Sequence, residues 1–404
     1  MRVILTTEAR CEQLPDGSVW SSVPYSFWCP YLEAFEEVNL VARVRRTTLK
    51  SPGLVRSDGN GVNFAPVPYY RGPGGYLKKY PHIKNSTRRA VGTEDAIILR
   101  VPSQLATCVH GGLPKGRPYA VQVVGDPFDV FASGVVTHPL RPLFRMVATR
   151  NQKRQCHAAV AAAYVTQHTL QVRYPCDGRL WAFSDAVAVY GERPQCDDSG
   201  VAGPGPRVRR PCREVSLPKK LVCVGSLEQL YKGPGVILEA LQICRSRGLD
   251  YSLTWVGGGL FCERMIAKAA SLGLADRVDF VGAVQPGQAV THYLDTSDLF
   301  VLPSRTEGLP RALIEAMARG LPCVASRVGG ISELLHPDDL VPPGEALALA
   351  EKLEAVLSDD VRLREMSRRN IQTALEFDVE RIHQLRMAFL TYVRDATKAW
   401  LEGR

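Results

Sequence analysis

Long apolar runs are missing from this sequence. None of its 404 residues falls in a stretch approaching the roughly 20 apolar side chains that cross a bilayer as a helix, so no membrane span is expected. The opening MRVILTTEARCEQ has an apolar run too short for a secretory signal and no cleavage-site pattern. Cysteine is sparse and unpatterned: eleven residues, an odd number, with no C-x-x-C pair. That argues against a zinc site and a disulfide framework, and for reduced thiols in a cytoplasm. No repeat and no low-complexity tail occurs. Acidic side chains are scarce in the first half. Residues 1–198 hold 24 Lys and Arg against 16 Asp and Glu, whereas 199–404 hold 26 against 25. An excess confined to one half points to an anionic partner for that half.

What is present is ordinary for a soluble globular chain, 23% charged and 45% hydrophobic. The length is too great for one core and suggests two domains of roughly 200 residues each. The chain is organised around residues 300–335, FVLPSRTEGLPRALIEAMARGLPCVASRVGGISELL. Phe300 to Leu302 read as a buried strand stopped by Pro303. Ser304 to Leu309 make a polar loop, and Pro310 suits the first turn of a helix over Arg311–Arg319. Gly320 stands where a helix-ending residue with positive φ belongs. Leu321 to Ser326 read as a second strand, and Gly329-Gly330 open a further helix. Strand, loop, helix, strand is the grammar of a parallel α/β sheet, whose ligands bind at the carboxyl ends of the strands. Glu307 and Gly308 fall there. Glu315, eight residues after Glu307, is expected about two turns into the helix. Taken blind, such a pair reads as a solvated loop residue and a surface helix residue; the neighbouring residues decide.

Those neighbours resemble the donor-sugar signature of family-four retaining glycosyltransferases of the GT-B fold, the bacterial polysaccharide-type group 1 enzymes. The matching residues are Pro303-Ser304, EGLP at 307–310, EAMA at 315–318, GLP at 320–322, and Gly329-Gly330 followed by Glu333. The resemblance implies an α/β protein of two Rossmann-like doubly wound domains facing a cleft. Residues 1–205 would bind the acceptor and 206–380 a nucleotide sugar, with a UDP-sugar favoured. Residues 381–404 would form a helix crossing back to the first domain. The implied activity transfers a sugar with retention to a hydroxyl of a saccharide, a lipid-linked carrier or a small metabolite. Such enzymes need no cofactor, and the absence of an Asp-x-Asp motif agrees with metal independence. A sugar-nucleotide 2-epimerase of the same fold, and a scaffold that binds a sugar nucleotide without turnover, are the rival readings.

The rest of the second half carries further matches. LVCVGSLEQLYKGPGVILEAL, residues 221–241, is strand, loop, helix, with Gly225 at the strand end. In this register Lys232 matches a lysine that binds the donor diphosphate. Where the family commonly has Arg after the strand-end glycine, this chain has Ser226. Neutralising the diphosphate therefore rests more on Lys232, aided by Arg305 or by main-chain N–H groups. WVGGGLF at 255–261 places Gly257 near the donor phosphate, and FVGAV at 280–284 places the Val284 backbone near the base. Glu307 would hold sugar hydroxyls, Glu315 the ribose, and the Gly308-Leu309 main chain the donor sugar or phosphate.

In the first half, strands are expected at residues 2–7, 38–44, 63–68, 95–101 and 119–124, and helices at 31–37 and 147–163. Residues 191–220 read as the interdomain linker plus the entry to the second domain. The loop after the strand at 95–101 lacks the histidine that many relatives place there. Arg100 or Ser103 would substitute, or the role is absent; Asp126 at the next strand end is a candidate ligand of acceptor or sugar, with a helix cap or turn as its plain alternative, and Gly17 lies in an acceptor-side turn. The catalytic set is thus Glu307, Lys232, Arg100 and Asp126, and the acceptor set Gly17, Ser103 and Asp126. YLKKYPHIKNSTRR at 76–89 interleaves aromatic and basic residues. Composition alone leaves nucleic acid open there, but a membrane-surface or phosphorylated-acceptor patch fits a transferase better. A solvated basic loop is the plain alternative. A cytoplasmic protein, at times on the inner face of the membrane and with no nucleic-acid partner, is expected.

Overall fold

Continuous apolar runs become strands buried on both faces. In the computed structural model, which describes residues 1–132, 135, 138–185, 218–284 and 287–403, the chain divides into two compact units. The first comprises Met1–Pro127, Met146–Phe183 and His383–Arg404, the second Phe128–Arg145 and Ser184–Ile382. Most of the expected linker, and the expected boundary at 205/206, lie outside the described residues. The first strand of the second unit, expected from Leu221, begins two residues earlier at Lys219.

The first unit holds nine strands: β1 (Arg2–Gln13), β2 (Val19–Ser21), β3 (Glu37–Arg46), β4 (Val55–Arg56), β5 (Val62–Pro68), β6 (Ala96–Val101), β7 (Ala120–Val123), β8 (Ala161–Tyr164) and β9 (Arg179–Ala182). Seven run parallel in the order β5-β3-β1-β6-β7-β8-β9. Strand order reverses between β1 and β6, the switch point of a doubly wound sheet. The antiparallel β2 and β4 extend beyond β1. Ile4, Val41, Ile97, Leu99 and Val121 form the central core with Leu105 and Val109 of the helix Gln104–His110.

Three expectations fail here. The helix expected over 147–163 runs instead from Arg141 to His157, and Ala161–Tyr164 is β8. Alanine is a strong helix former, but three small side chains between β7 and β9 are fully enclosed, and burial overrides propensity. The helix expected over 31–37 shrinks to Cys29–Leu32, because Glu37 already pairs with Arg2 in the sheet. β1 also runs well past the expected end at residue 7, with a register shift between Thr6 and Arg10.

The second unit is a six-stranded parallel sheet: β10 (Lys219–Val224), β11 (Tyr251–Val256), β12 (Val278–Gly282), β13 (Leu299–Leu302), β14 (Cys323–Ser326) and β15 (Leu340–Val341). Its order is β12-β11-β10-β13-β14-β15, so the reversal lies between β10 and β13. The helices Pro234–Ser246, Arg311–Ala318, Ala346–Leu357 and Asp360–Ala374 bury leucine, isoleucine and methionine faces at helical spacing.

The long helix Val379–Glu402 follows these in sequence, yet from His383 onward it groups with the first unit. Phe389, fully buried, lies 5.5 Å from the Trp181 ring and 5.8 Å from Phe183. The Arg117 guanidinium stacks 5.6 Å over Trp400. Among the described residues no helix is long and apolar enough to cross a membrane.

Candidate active site

A doubly wound sheet offers a ligand crevice where its strand order reverses, at the carboxyl ends of the strands. In the second unit that point lies between Gly225, after β10, and Pro303, after β13. The two loops meet backbone to backbone at Gly233. Its φ is +73°, and a Cβ there would stand 2.1 Å from the Pro303 carbonyl oxygen. Only glycine allows both the left-handed turn and that approach.

This contact sets Lys232 opposite Glu307. The Lys232 ammonium donates to Glu307 Oε1 at 2.6 Å, and the Ser304 hydroxyl donates to the same oxygen at 2.7 Å. Both charged side chains are nearly enclosed, with 12% and 7% exposed. Burial alone pushes the lysine towards neutrality. The charge of Glu307, with contributions from Tyr231 and the Glu307 hydrogen bond, outweighs it and the net shift is upward. The ammonium also lies 5.2 Å from the Tyr231 ring centroid. An ammonium carries three donors, and Glu307 accepts one of them.

The loop after β14 closes the other side. A Cβ on Gly329 would stand 1.9 Å from the Glu307 carbonyl oxygen, and the Gly330 N–H donates to the Gly308 carbonyl at 2.8 Å. Gly308 and Leu309 are thereby fixed, both partly exposed. Gly225 accepts from the Trp255 indole at 2.9 Å, and the Gly257 backbone packs directly on it. The Ser226 hydroxyl donates to the Gly258 carbonyl at 3.4 Å and accepts from the Glu228 N–H at 3.1 Å. It stitches one loop to the next. Val284 is half-buried in the loop after β12. Arg305 donates its N–H to the Tyr231 carbonyl, while its guanidinium lies against Gly344, in the loop after β15.

Glu315 stands one turn into its helix, not two, because Glu307–Pro310 is loop and the helix begins at Arg311. Burial holds its carboxyl above the usual range, and Arg311 opposes this only in part.

In the first unit the side chains at the β1/β6 switch point bind one another. Ser103 caps the helix Gln104–His110, accepting from the Ala106 N–H at 3.0 Å, and its hydroxyl donates to Glu8 Oε1 at 2.7 Å. The same Glu8 oxygen accepts from the Gln104 and Leu105 N–H groups, and Arg43 pairs with Glu8 Oε2 at 3.0 Å. Arg100 donates to Gln122 Oε1 at 3.0 Å and stacks 5.3 Å over Phe27. Tyr31 donates to that oxygen too. Asp126 is enclosed, and accepts from Arg173 and from the Tyr174 hydroxyl. Gly17, φ +86°, sits in the exposed β1–β2 turn. Arg43 Nε and Gln122 Nε2, enclosed near these strand ends, have no hydrogen-bond partner among the described residues. Glu8, Arg43 and Gln122 escaped the sequence reading. The one signal was an acid and an arginine on strands whose starts are apolar. Residues 76–89 lie within the helix Gly72–Ala90, not a loop, with Ile83 and Thr87 buried.

Two switch-point sheets in two units, with a buried Lys–Glu pair at one of them, define a GT-B architecture. Comparison with known proteins gives the same class. Solved structures similar to this chain include a sucrose-phosphate synthase from Thermosynechococcus elongatus, with TM-score 0.68 and 17% identity over 98% of this chain and 99% of the other. The HepE protein of Anabaena with UDP-glucose gives TM-score 0.62 and 18% identity, over 97% and 100%. Residues 218–359 match the family described as Glycosyl transferases group 1. A GDP-mannose-dependent alpha-(1-6)-phosphatidylinositol monomannoside mannosyltransferase from Mycolicibacterium smegmatis is 33% identical over 315 residues, 75% of this chain and 77% of the relative. Protein CapJ of Staphylococcus aureus is 24% identical over 371 residues, 90% and 88%. The chain belongs to the group 1 glycosyltransferases.

Proposed function

We propose that this glycosyltransferase moves a hexose from a nucleotide sugar, a UDP-sugar by preference, to a hydroxyl of a saccharide or lipid-linked acceptor. It does so with retention and without a metal ion, in polysaccharide assembly on the cytoplasmic side of a membrane. The Lys232–Glu307 pair at the β10/β13 switch point carries the reading. A diphosphate draws on the remaining Lys232 donors, and Glu307, held by Ser304, orients the donor-sugar hydroxyls. Glu315 meets the ribose, and the main chain of Gly308 and Leu309 the sugar or phosphate. The leaving phosphate takes the proton of the hydroxyl that attacks from the same face. The protein then supplies position and charge rather than a strong base.

Support for the donor comes from the Anabaena protein solved with UDP-glucose, and the mycobacterial relative's GDP-mannose makes the base the open variable. Acceptor hydroxyls would sit at the first unit's switch point, near Arg100, Ser103 and Asp126. The test is incubation with a panel of nucleotide sugars. Slow release of nucleoside diphosphate supports transfer. Isomerised sugar indicates an epimerase, and binding without turnover a scaffold.

A further inference from the structure

The helix Arg141–His157 is built inside out. Its enclosed residues include Gln152 and Gln155, whose amides donate to the Gly125 carbonyl at 3.0 Å and the Thr107 hydroxyl at 3.1 Å. Its large aliphatic residues face outward: Leu143 is 47% exposed, Met146 62% and Val147 45%, with Leu140 at 52% just ahead. Helical geometry puts Pro142, Leu143, Met146, Val147, Arg150, Lys153, Arg154 and His157, all exposed, within one arc of about 140°. The first half of that face is apolar and the second half cationic. The helix contains no Asp or Glu. Arg141 and Arg145 reach back to the carbonyls of Phe131 and Phe128, and His157 lies 3.0 Å from Asp177. Arg150, Lys153 and Arg154 face water.

We propose that this face docks on an anionic lipid bilayer. Leu140, Leu143, Met146 and Val147 enter the boundary between headgroups and acyl chains, and Arg150, Lys153 and Arg154 meet lipid phosphates. Charge decides the occupant. An apolar patch continued by three exposed cations on an acid-free helix complements a negatively charged interface, the arrangement of helices that lie in the membrane plane. The inference rests on the membrane-side reading above, but it names a surface other than residues 76–89.

The test is co-sedimentation of the full chain with phosphatidylcholine vesicles and with vesicles that also contain phosphatidylglycerol. The protein is expected to bind the mixed vesicles only, and less as salt rises. L143N/M146N and R150Q/K153Q should each weaken binding, the latter by about 30-fold. Release of nucleoside diphosphate from donor without vesicles should stay unchanged. Thermal unfolding checks that each variant folds, and the polar pair stands alone if the apolar pair does not. Wild-type binding that neither variant reduces overturns the proposal. Loss confined to K78E/K79E would move the contact to the helix Gly72–Ala90 and leave the membrane-side reading standing. Absence of any vesicle binding would remove both. A dimer that L143N/M146N dissolves would make the face an interface between copies instead.

Discussion

Replacing Lys232 with methionine keeps most of its volume and removes its charge. Glu307, 7% exposed, would then sit buried with Ser304 as its remaining hydrogen-bond donor on that oxygen. Removing one partner of a buried pair costs about 3–5 kcal/mol, because the other charge stays desolvated and uncompensated. E307Q strands Lys232 in the same way. Its loss takes away the main influence that opposes burial, so the lysine pKa falls below its ordinary value. In K232M/E307Q neither charge is buried alone, and most of the stability should return. With a double variant that costs about 1–2 kcal/mol, the coupling between the two sites is at least about 4 kcal/mol, far above the few tenths seen for independent sites. The chain has two units, so bulk unfolding would mix them. Hydrogen exchange on peptides from β10 and β13, followed through urea, reads the second unit alone. Single variants that cost under about 1 kcal/mol, or a double variant whose loss equals the sum of the singles, would refute the buried-pair argument.

Lys232→Ala should weaken nucleoside diphosphate binding about ten- to a hundredfold more than nucleoside binding, as calorimetry can show; equal losses would place its action elsewhere. Glu315→Gln should lower turnover about tenfold or more and yet stabilise the fold at neutral pH. The raised carboxyl makes the wild type lose stability as pH climbs from the unfolded value of 4.5 through the folded one, so the two proteins should converge in denaturant midpoint below pH 4.5. Phe389→Ala should cost the first unit about 3–5 kcal/mol, seen as early exchange in β9 peptides, while nucleotide binding in a variant that still folds stays within twofold. A chain ending at Glu376 should bind nucleotide and fail to transfer sugar, and full transfer would show that the terminal helix is not needed for the reaction.

Where burial is two-sided and turns are punctuated by glycine or proline, the sequence was readable. Leu299–Leu302 and Cys323–Ser326, enclosed at every residue, stop where the sequence reading stops them. Ala161–Tyr164 was not, since alanine favours a helix unless neighbours enclose it. The donor-side residues were legible one at a time. Their relations were not: Lys232 and Glu307 lie 75 positions apart, and nothing local in either loop says that they touch. Glu8 and Ser103, 95 positions apart, are the same case in the first unit. Glu315's depth in its helix depended on where the loop stopped, which Pro310 marked and the eight-residue count ignored.

The terminal helix has a consequence for synthesis. Trp181 and Phe183 leave the ribosome roughly 200 residues before Phe389, the ring that packs against both. The nascent first unit therefore cannot complete its core in order of translation. At about 5–20 residues per second, two large aromatic side chains await their partner for some 10–40 seconds. The strands and helices of the second unit follow one another from Lys219 to Ala374, so it folds in that interval. Chaperone depletion should thus catch this chain with its second half formed and its first half open, and aggregates seeded by residues 179–183 are the product to look for.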